Sequence, residues 1–405
     1  PLPPPPYPPI PPPSPCRQTD PGPRASKRDH PPDPEICVSP ALTEKYWFTF
    51  GLCVENITKG LVMIRNLLYL LGAVFVGSWV LIGCGDAGDE AASPGPAASG
   101  GGDTMTVAVV PKGTTHEFWK AVHKGAQAAA EQIGVQIIWK GPLREDDRNA
   151  QIDVIDSLIT RGVDALAVAP LDDVALVRPV REAGDAGIPV VIFDSGLKAE
   201  PGEDYVSFVA TDNYKGGQLG AKRMAELLDG EGRIVVLRYQ EGSASTQNRE
   251  QGFMDEIARH EGIEVVSDNQ YGGATTETAF QASENLLGPL QAGDGSLEID
   301  GIFCPNESTT FGMLRALQDG GHAGNVKFVG FDASAKLIEA MREGQIHGLV
   351  LQNPYKMGYE SVKTVVAAKK GEDVPDRIDT GATMVTPDNL DDEDIKPLWD
   401  PAGYE

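Results

Sequence analysis

The sequence contains few of the residues that build a reactive or metal-binding centre. Five cysteines and six histidines occur in 405 residues, and their spacing forms neither a zinc motif nor a paired redox motif. No glycine-rich phosphate motif follows the first predicted strand, and neither a Walker loop nor a Gly-x-Ser-x-Gly elbow is present. We therefore expect a protein that is not an enzyme, with no catalytic residues, no metal and no cofactor.

Basic residues are also scarce. The chain has 34 Lys and Arg against 59 Asp and Glu, which gives a formal net charge of -25. The deficit lies after residue 83, because residues 84–405 hold 27 basic and 53 acidic side chains. This charge argues against nucleic acid or an anionic membrane surface as a partner.

The longest apolar run, 67–82, is shorter than the roughly 20 residues that a transmembrane helix needs. It follows Arg65 and precedes Leu-Ile-Gly-Cys, which resembles the bacterial lipobox. We therefore expect residues 63–83 to be a lipoprotein signal peptide and Cys84 to carry the lipid. An uncleaved membrane anchor is the alternative, and it would put the rest of the chain on the same side of the membrane.

The segments on either side of this run have a biased composition. Residues 1–15 include eleven prolines, which permits a polyproline II helix and an SH3-type ligand. We favour the alternative that 1–62 is translated upstream sequence, disordered or not native, because a complete export signal begins at Met63. Residues 84–103 are rich in Gly, Ala, Ser and Pro and are predicted to form a flexible tether.

From residue 104 onward, short apolar runs alternate with helical patterns. Strands are predicted at 107–110, 135–139, 165–169 and 190–193, the alternation restarts at 216, and a single last strand is predicted at 380–386. Continuous apolar strands indicate parallel sheets that helices cover on both faces. The predicted fold is α/β, with two similar doubly wound parallel-sheet lobes. A cleft between two lobes is a common place for a small-molecule site.

Polar side chains follow several of these strands. Asp194, Asn306, Asp332 and Gln352 each lie one to three residues after a predicted strand, and Arg249 lies in the first turn of a predicted helix. Parallel strands end at one edge of a sheet, so we expect these groups to line the cleft. Carboxylates, carboxamides and a guanidinium group match vicinal hydroxyls. For each Asp or Asn considered alone, the alternative is that its side chain caps the helix that follows the strand.

Two adjacent aromatic residues follow the first strand and its polar loop. Phe118 and Trp119 offer flat apolar surfaces that can stack on the C–H face of a sugar ring. Packing of one of the two rings in the core is the alternative.

An ordered set of motifs between about 104 and 386 resembles the periplasmic sugar-binding proteins of ABC transporters, in the ribose-binding-like branch with the type I fold. The motifs are DVIDSLITRGVDALAVAP at 153–170, AGIPVV at 186–191, GSASTQNREQGF at 242–253 and VGFD at 329–332. The resemblance implies lobes of residues 104–211 plus 353–380 and 212–352 plus 381–405, joined by a three-strand hinge. It implies the ligand-binding set Lys112, His116, Phe118, Trp119, Asp194, Ser195, Arg249, Asn306, Asp332 and Gln352.

Three of these positions depart from the ribose-binding pattern. Lys112 and His116 lie in a loop that is one residue longer than the asparagine-containing loop of the family, and Ser195 replaces an arginine. These changes alter which hydroxyls or charges the cleft can bind. We therefore expect a ligand other than ribose, such as a rhamnose-like sugar, another pentose, a polyol or an acidic sugar.

The function that the resemblance implies is solute capture outside the cytoplasm. A monomeric lipoprotein of the periplasm or cell envelope, anchored through Cys84, would bind a monosaccharide or related polyol by hinge closure and deliver it to an ABC permease. Nucleic acid is not an expected partner. A sugar sensor that signals to a membrane receptor or kinase is the main alternative, and an enzyme acting on a sugar is a less favoured one.

Overall fold

The computed structural model describes residues 104–400. The predictions for 1–62, for the signal peptide at 63–83, for the lipid on Cys84 and for the tether at 84–103 lie outside these residues. Between residues 104 and 400, no helix is both long enough and apolar enough to cross a membrane.

Strands and helices alternate along the described chain, and a short 3-10 turn, Gly288–Leu290, follows the sixth helix. In chain order the elements are β1 (Thr106–Val110), α1 (Glu117–Ile133), β2 (Gln136–Trp139), α2 (Arg148–Arg161), β3 (Ala165–Val168), α3 (Val177–Asp185), β4 (Val190–Phe193), β5 (Ser207–Ala210), α4 (Asn213–Leu227), β6 (Glu231–Arg238), α5 (Ala244–Ile257), β7 (Gly262–Tyr271), α6 (Thr276–Leu287), β8 (Gly301–Phe303), α7 (Glu307–Asp319), β9 (Lys327–Phe331), α8 (Ala335–Arg342), β10 (Gly348–Gln352), α9 (Pro354–Lys369), β11 (Arg377–Asp379), β12 (Ala382–Val385) and α10 (Lys396–Trp399).

The first lobe has a parallel six-stranded sheet with the order β11-β5-β4-β3-β1-β2. Alternate residues of β1 point to opposite faces of this sheet, as the two-residue period of a strand requires. Val107 and Val109 pack with α1 and α9, whereas Ala108 and Val110 pack with α2 and α3. Helices therefore cover both faces, which explains why the strand is apolar throughout.

The second lobe repeats this architecture with the strand order β12-β10-β9-β8-β6-β7. Ile234 and Val236 of β6 pack with α4 and α5, whereas Val235 and Leu237 pack with α6, α7 and α8. The prediction of two α/β lobes with parallel-sheet cores is thus confirmed. The exact lobe boundaries given above stay a prediction.

Two details of the strand pattern differ from what the sequence predicted. A single last strand at 380–386 was expected, but the structure has β11 in the first sheet and β12 in the second, with residues 380–381 between them. Strand β12 also pairs antiparallel with β10, so the second sheet is not purely parallel. The apolar pattern of a strand does not show its direction, and the chain from β10 to β12 runs through α9 and β11 instead of a hairpin, so no local turn signal indicates the antiparallel pairing.

The chain passes between the two sheets at three neighbouring places: after β5, before α9 and between β11 and β12. Two of these crossings are bonded to each other. The backbone N–H of Thr380 donates to the carbonyl oxygen of Ala210 at 3.1 Å, and the Thr211 hydroxyl donates to the carbonyl oxygen of Gly381 at 3.1 Å. The crossings therefore form one narrow connection.

In each lobe, one helix pair crosses in direct backbone contact. A Cβ atom on Gly125 of α1 would lie 1.9 Å from the carbonyl oxygen of Tyr355 in α9. In the second lobe, a Cβ atom on Gly217 of α4 would lie 2.0 Å from the carbonyl oxygen of Arg249 in α5. Both crossings thus require glycine, because any side chain would push the helices apart.

We expect Gly125→Ala and Gly217→Ala each to lower the free energy of unfolding by about 1–3 kcal/mol, since an added methyl group overpacks a closed contact. Gly184→Ala is the matched control. A Cβ atom on this α3 residue meets nothing within 4 Å, so it should stabilise the protein by up to about 1 kcal/mol by reducing backbone entropy. Urea denaturation measures all three variants, and equal effects would disprove the close-contact explanation.

Candidate functional site

Two aspartates face each other across the cleft in the same unusual backbone conformation. Asp194 follows β4 with a φ of 60°, and Asp332 follows β9 with a φ of 66°. In each case the backbone N–H donates to the neighbouring strand, to Val209 and Val350 respectively. Left-handed residues other than glycine are uncommon and tend to occur at functional sites. The conformation turns both carboxylates toward the space between the lobes.

The adjacent aromatic residues have different environments. Trp119 is 3% exposed and packs in the core of the first lobe, with Phe193 at a ring-centroid distance of 6.3 Å. Its indole N–H donates to Glu145 Oε1 at 2.5 Å. Phe118 is half-buried, lies edge-to-face against Trp119 and borders the cleft. Phe118 is therefore the ring whose surface reaches the cleft most directly.

Lys112 bridges the two lobes. Its ammonium group lies 2.8 Å from Asp194 Oδ2 in the first lobe and 2.9 Å from the Ser245 hydroxyl in the second, with the Ser243 hydroxyl at 3.4 Å. Lys112 and Asp194 are each 3% exposed. Three acceptors surround a group with three donors, so the buried charge is fully hydrogen-bonded.

Glu145 is the centre of a second set of bonds across the cleft. Its carboxylate accepts from the Trp119 indole and lies 2.6 Å from His116 Nδ1, both in the first lobe. The Tyr239 hydroxyl of the second lobe donates to Glu145 Oε2 at 2.7 Å, and the side chain of Gln240 donates to the Glu145 carbonyl oxygen. One buried carboxylate thus connects both lobes.

The charges of His116 and Glu145 stabilise each other. Burial alone would lower the pKa of His116, but the charge and hydrogen bond of Glu145 raise it to about 9. Burial likewise opposes ionisation of Glu145, and the nearby His116 and Lys112 cations lower its pKa to about 2. The pair is therefore ionised at neutral pH. Both shifts describe one interaction, so their free energies do not add.

Arg249, Asp332 and Gln352 form the side of the site that belongs to the second lobe. The Arg249 guanidinium stacks on the Phe331 ring at 3.9 Å, donates to the side chain of Asn213 and lies 3.8 Å from Asp332 Oδ2. Gln352 Nε2 donates to Asp332 Oδ1 at 2.7 Å. This bond orients the amide, and it leaves the buried Gln352 Oε1 without a hydrogen-bond partner. An unpaired buried acceptor at a cavity wall is suited to a ligand hydroxyl.

Glu307 of the second lobe caps a helix of the first lobe. Its carboxylate accepts from the backbone N–H of Phe118 at 3.2 Å and of Glu117 at 3.3 Å, in the first turn of α1. The N-cap residue His116 provides no side-chain cap of its own. Burial raises the pKa of Glu307 to about 7, although His116 and the Phe118 N–H oppose this shift. The first turn of α1 is thus capped only when the lobes are together.

The space that these groups enclose has two parts. An inner chamber of about 30 Å³ lies among the charged side chains, and an outer chamber of about 800 Å³ adjoins it. The inner chamber has room for only a few water molecules, far below the roughly 300–1,000 Å³ of typical ligand sites. The lobes are therefore closed, and a sugar-sized molecule would need them to move apart.

The inner chamber brings together most of the residues that the sequence singled out. Ser195 is the exception, because its hydroxyl accepts the backbone N–H of Ser245 at 3.1 Å and does not border the chamber. Asn306 borders it, but its carboxamide also caps α7 by accepting from Thr309. The predicted residues that line the chamber are Lys112, His116, Phe118, Trp119, Asp194, Arg249, Asn306, Asp332 and Gln352.

Sequence reasoning missed several residues of the chamber. Tyr239 follows β6, and Glu307 follows Asn306 after β8, so the rule of polar residues after strands would have found both. Glu145 lies in the run Arg144-Glu145-Asp146-Asp147-Arg148. Nothing in such a run shows which carboxylate turns inward. Arg249 was expected in the first turn of its helix, but α5 begins at Ala244 and Arg249 lies in the second turn. The missed chamber residues are Glu145, Tyr239, Ser245, Thr246 and Glu307.

Comparison with known proteins assigns the family. Residues 107–373 match the model of the periplasmic binding protein domain. The chain belongs to this family. Its relatives include the D-allose-binding periplasmic protein of Escherichia coli, which is 29% identical over 66% of this chain and 86% of its own length. The xylitol-binding protein of Mycolicibacterium smegmatis is 27% identical over 80% of this chain and 88% of its own.

Solved structures agree with this assignment. An ABC transporter solute-binding protein from Agrobacterium vitis with bound D-fucose is 34% identical to this periplasmic binding protein. The similarity covers 73% of this chain and 100% of that chain, with a TM-score of 0.69.

The ion pair of His116 predicts how stability depends on pH. The pKa of His116 is raised from 6.5 to about 9 in the folded protein, so its stabilisation is complete below pH 6.5 and is lost as the pH rises through 9. The loss should reach up to about 3 kcal/mol. Urea denaturation at a series of pH values measures it. The variant His116→Gln should lack this part of the pH dependence, and an unchanged profile in the variant would assign the effect to another group.

Proposed function

We propose that this periplasmic binding protein captures a neutral monosaccharide or polyol between its lobes and delivers it to an ABC permease. The observation that carries the proposal is the set of converging polar groups at the strand ends of both lobes, among them the unpaired Gln352 Oε1 beside the left-handed Asp332. The sugars and polyols named for the relatives, D-allose, xylitol and D-fucose, support the same ligand class.

A neutral ligand fits the charges of the inner chamber better than an acidic one. Each cation already has a carboxylate: Lys112 has Asp194, His116 has Glu145 and Arg249 has Asp332. Glu307 adds a fourth carboxyl group to the wall. An acidic sugar would meet this surplus of carboxylates in a buried site, where repulsion is strong. Hydroxyls, in contrast, can donate to carboxylates and accept from lysine and arginine.

Capture would require hinge motion. We propose that the lobes, divided at 211, 352 and 380, rotate about the three crossings and separate the contacts that now join them. The bonds of Lys112 to Ser245, of Glu145 to Tyr239 and of Glu307 to α1 would break on opening and form again on closing. The ligand would then be enclosed and shielded from water.

The remaining parts of the proposal concern location and partners. We propose that the chain is exported, that Cys84 is lipidated and holds the monomeric protein at the periplasmic or cell-envelope side of the membrane, and that the closed form is what the permease recognises. Binding, and not turnover, is the proposed activity, because the paired charges of the chamber leave no nucleophile beside a free base. Metabolic labelling with a fatty acid, with Cys84→Ala as control, tests the anchor.

A thermal-shift screen of the full-length chain tests the ligand class. Pentoses, hexoses, 6-deoxyhexoses and polyols should include at least one stabilising ligand, whereas the corresponding uronic acids should give no shift. A ligand at 100 times its dissociation constant adds roughly 2.7 kcal/mol of stability, which a shift in melting temperature reveals. Stabilisation by uronic acids alone would contradict the neutral-ligand proposal.

We expect Arg249→Ala and Asp332→Ala each to weaken binding of the sugar found in that screen by about 2–5 kcal/mol, because each leaves a buried charge without its partner. Calorimetry measures the loss, and circular dichroism checks that the variants fold. Arg178→Ala, which removes only surface ion pairs with Glu182 and Asp156, is the matched control. Wild-type affinity in either cleft variant would show that the site lies elsewhere.

A further inference from the structure

The outer chamber is continuous with the inner one. Both are bordered by His116, Phe118, Glu145, Glu307, Asp332 and Gln352. A ligand bound in the inner chamber would therefore adjoin the outer chamber, which has a volume of about 800 Å³. That volume lies within the roughly 300–1,000 Å³ typical of small-molecule sites.

Closure of the lobes does not fill this space. The lobes already touch through direct hydrogen bonds, including Lys112 to Ser245 at 2.9 Å and Tyr239 to Glu145 at 2.7 Å. No further approach is possible at these points, and the outer chamber still persists. It extends from α1 of the first lobe to α6, α7, α8 and α10 of the second. The outer chamber is thus present even where the lobes touch, and lobes held slightly apart by a sugar ring in the inner chamber would not make it smaller.

The walls of the outer chamber combine aromatic surface with polar groups. Phe118 borders both chambers, whereas Phe311 and Trp399 line the outer one only, and each ring is half-buried against the core of its lobe. Lys336 lies over the Phe311 ring at 5.4 Å. Threonine and serine side chains and several charged side chains complete the lining. Sugar rings present apolar C–H faces and polar edges, which is the chemistry that such walls match.

We infer that the outer chamber is a second sugar subsite, so that the protein binds a disaccharide whose first ring occupies the inner chamber and whose second ring occupies the outer one. This inference rests on the proposed function. A purely apolar substituent suits the chamber less well, because the charged side chains of Arg144, Glu277 and Lys336 border it and would lose water on contact with a hydrocarbon.

Calorimetry on the full-length chain with matched sugars tests the inference. The probes are D-xylose with xylobiose, D-glucose with cellobiose, and D-galactose with its β-1,4-linked disaccharide. At least one disaccharide should bind about tenfold or more tightly than its own monosaccharide, which corresponds to about 1.4 kcal/mol. If monosaccharides bind and none of the disaccharides binds more tightly, this inference is wrong while the proposed function stands. If no sugar binds, both are wrong.

A variant that fills the chamber gives an independent readout. Ala335 is exposed at the start of α8 and borders the outer chamber only. Ala335→Trp should weaken disaccharide binding by about tenfold and leave monosaccharide binding within about twofold. Ala186→Trp, at an exposed position after α3 that borders neither chamber, is the matched control and should change neither affinity.

The occupant of the chamber is tested by 4-nitrophenyl β-D-xyloside. If this aryl glycoside shows the tenfold gain and the disaccharides do not, the second subsite accepts an apolar group and the disaccharide inference is overturned. An equal loss of both affinities in Ala335→Trp would also overturn it, because the two chambers would then not be separate subsites.

Discussion

The bonds of one buried carboxylate determine how the two lobes meet. Glu145 accepts from Trp119 and pairs with His116 in its own lobe, and it accepts from Tyr239 in the other. A carboxylate this deeply buried would be costly without charged and hydrogen-bonding partners. His116 and Trp119 offset part of this cost within the first lobe, and the Tyr239 hydroxyl adds its hydrogen bond only when the lobes are together. The small volume of the inner chamber, the half-buried position of Phe118 and the capping of α1 by Glu307 all depend on this closed arrangement.

The parts of the site that sequence alone predicted are those that follow from strand order. Asp194 and Asp332 were predicted because each follows an apolar run, and parallel strands end at one edge of a sheet. The same rule does not apply to Glu145, whose loop carries four other charged residues, so only tertiary packing selects it. The final strands were misjudged for a related reason. Whether β11 and β12 join one sheet or two depends on pairing partners far away in sequence, β5 for β11 and β10 for β12.

The two lobes pair their cleft aspartates with different cations. Each lobe presents an aspartate in a left-handed conformation, and each aspartate is matched by a cation, Lys112 in the first lobe and Arg249 in the second. Lysine is a compact charge with freely placed donors, whereas arginine is a flat fork that is here fixed by Phe331 and Asn213. In the proposed site, the fixed guanidinium of the second lobe would therefore be the more selective of the two cations.

The glycine contacts between helices have a mechanical consequence. Helix α4 starts just after one crossing and lies against α5, which carries Arg249; α9 starts just after another and lies against α1, which carries Phe118 and Trp119. With no side chain between their backbones, the two helices of each pair cannot slide or tilt independently. Each pair therefore forms a stiff unit that begins at a crossing and carries side chains of the inner chamber. In the proposed hinge motion, a change in a few backbone torsions at the crossings would therefore move these side chains directly.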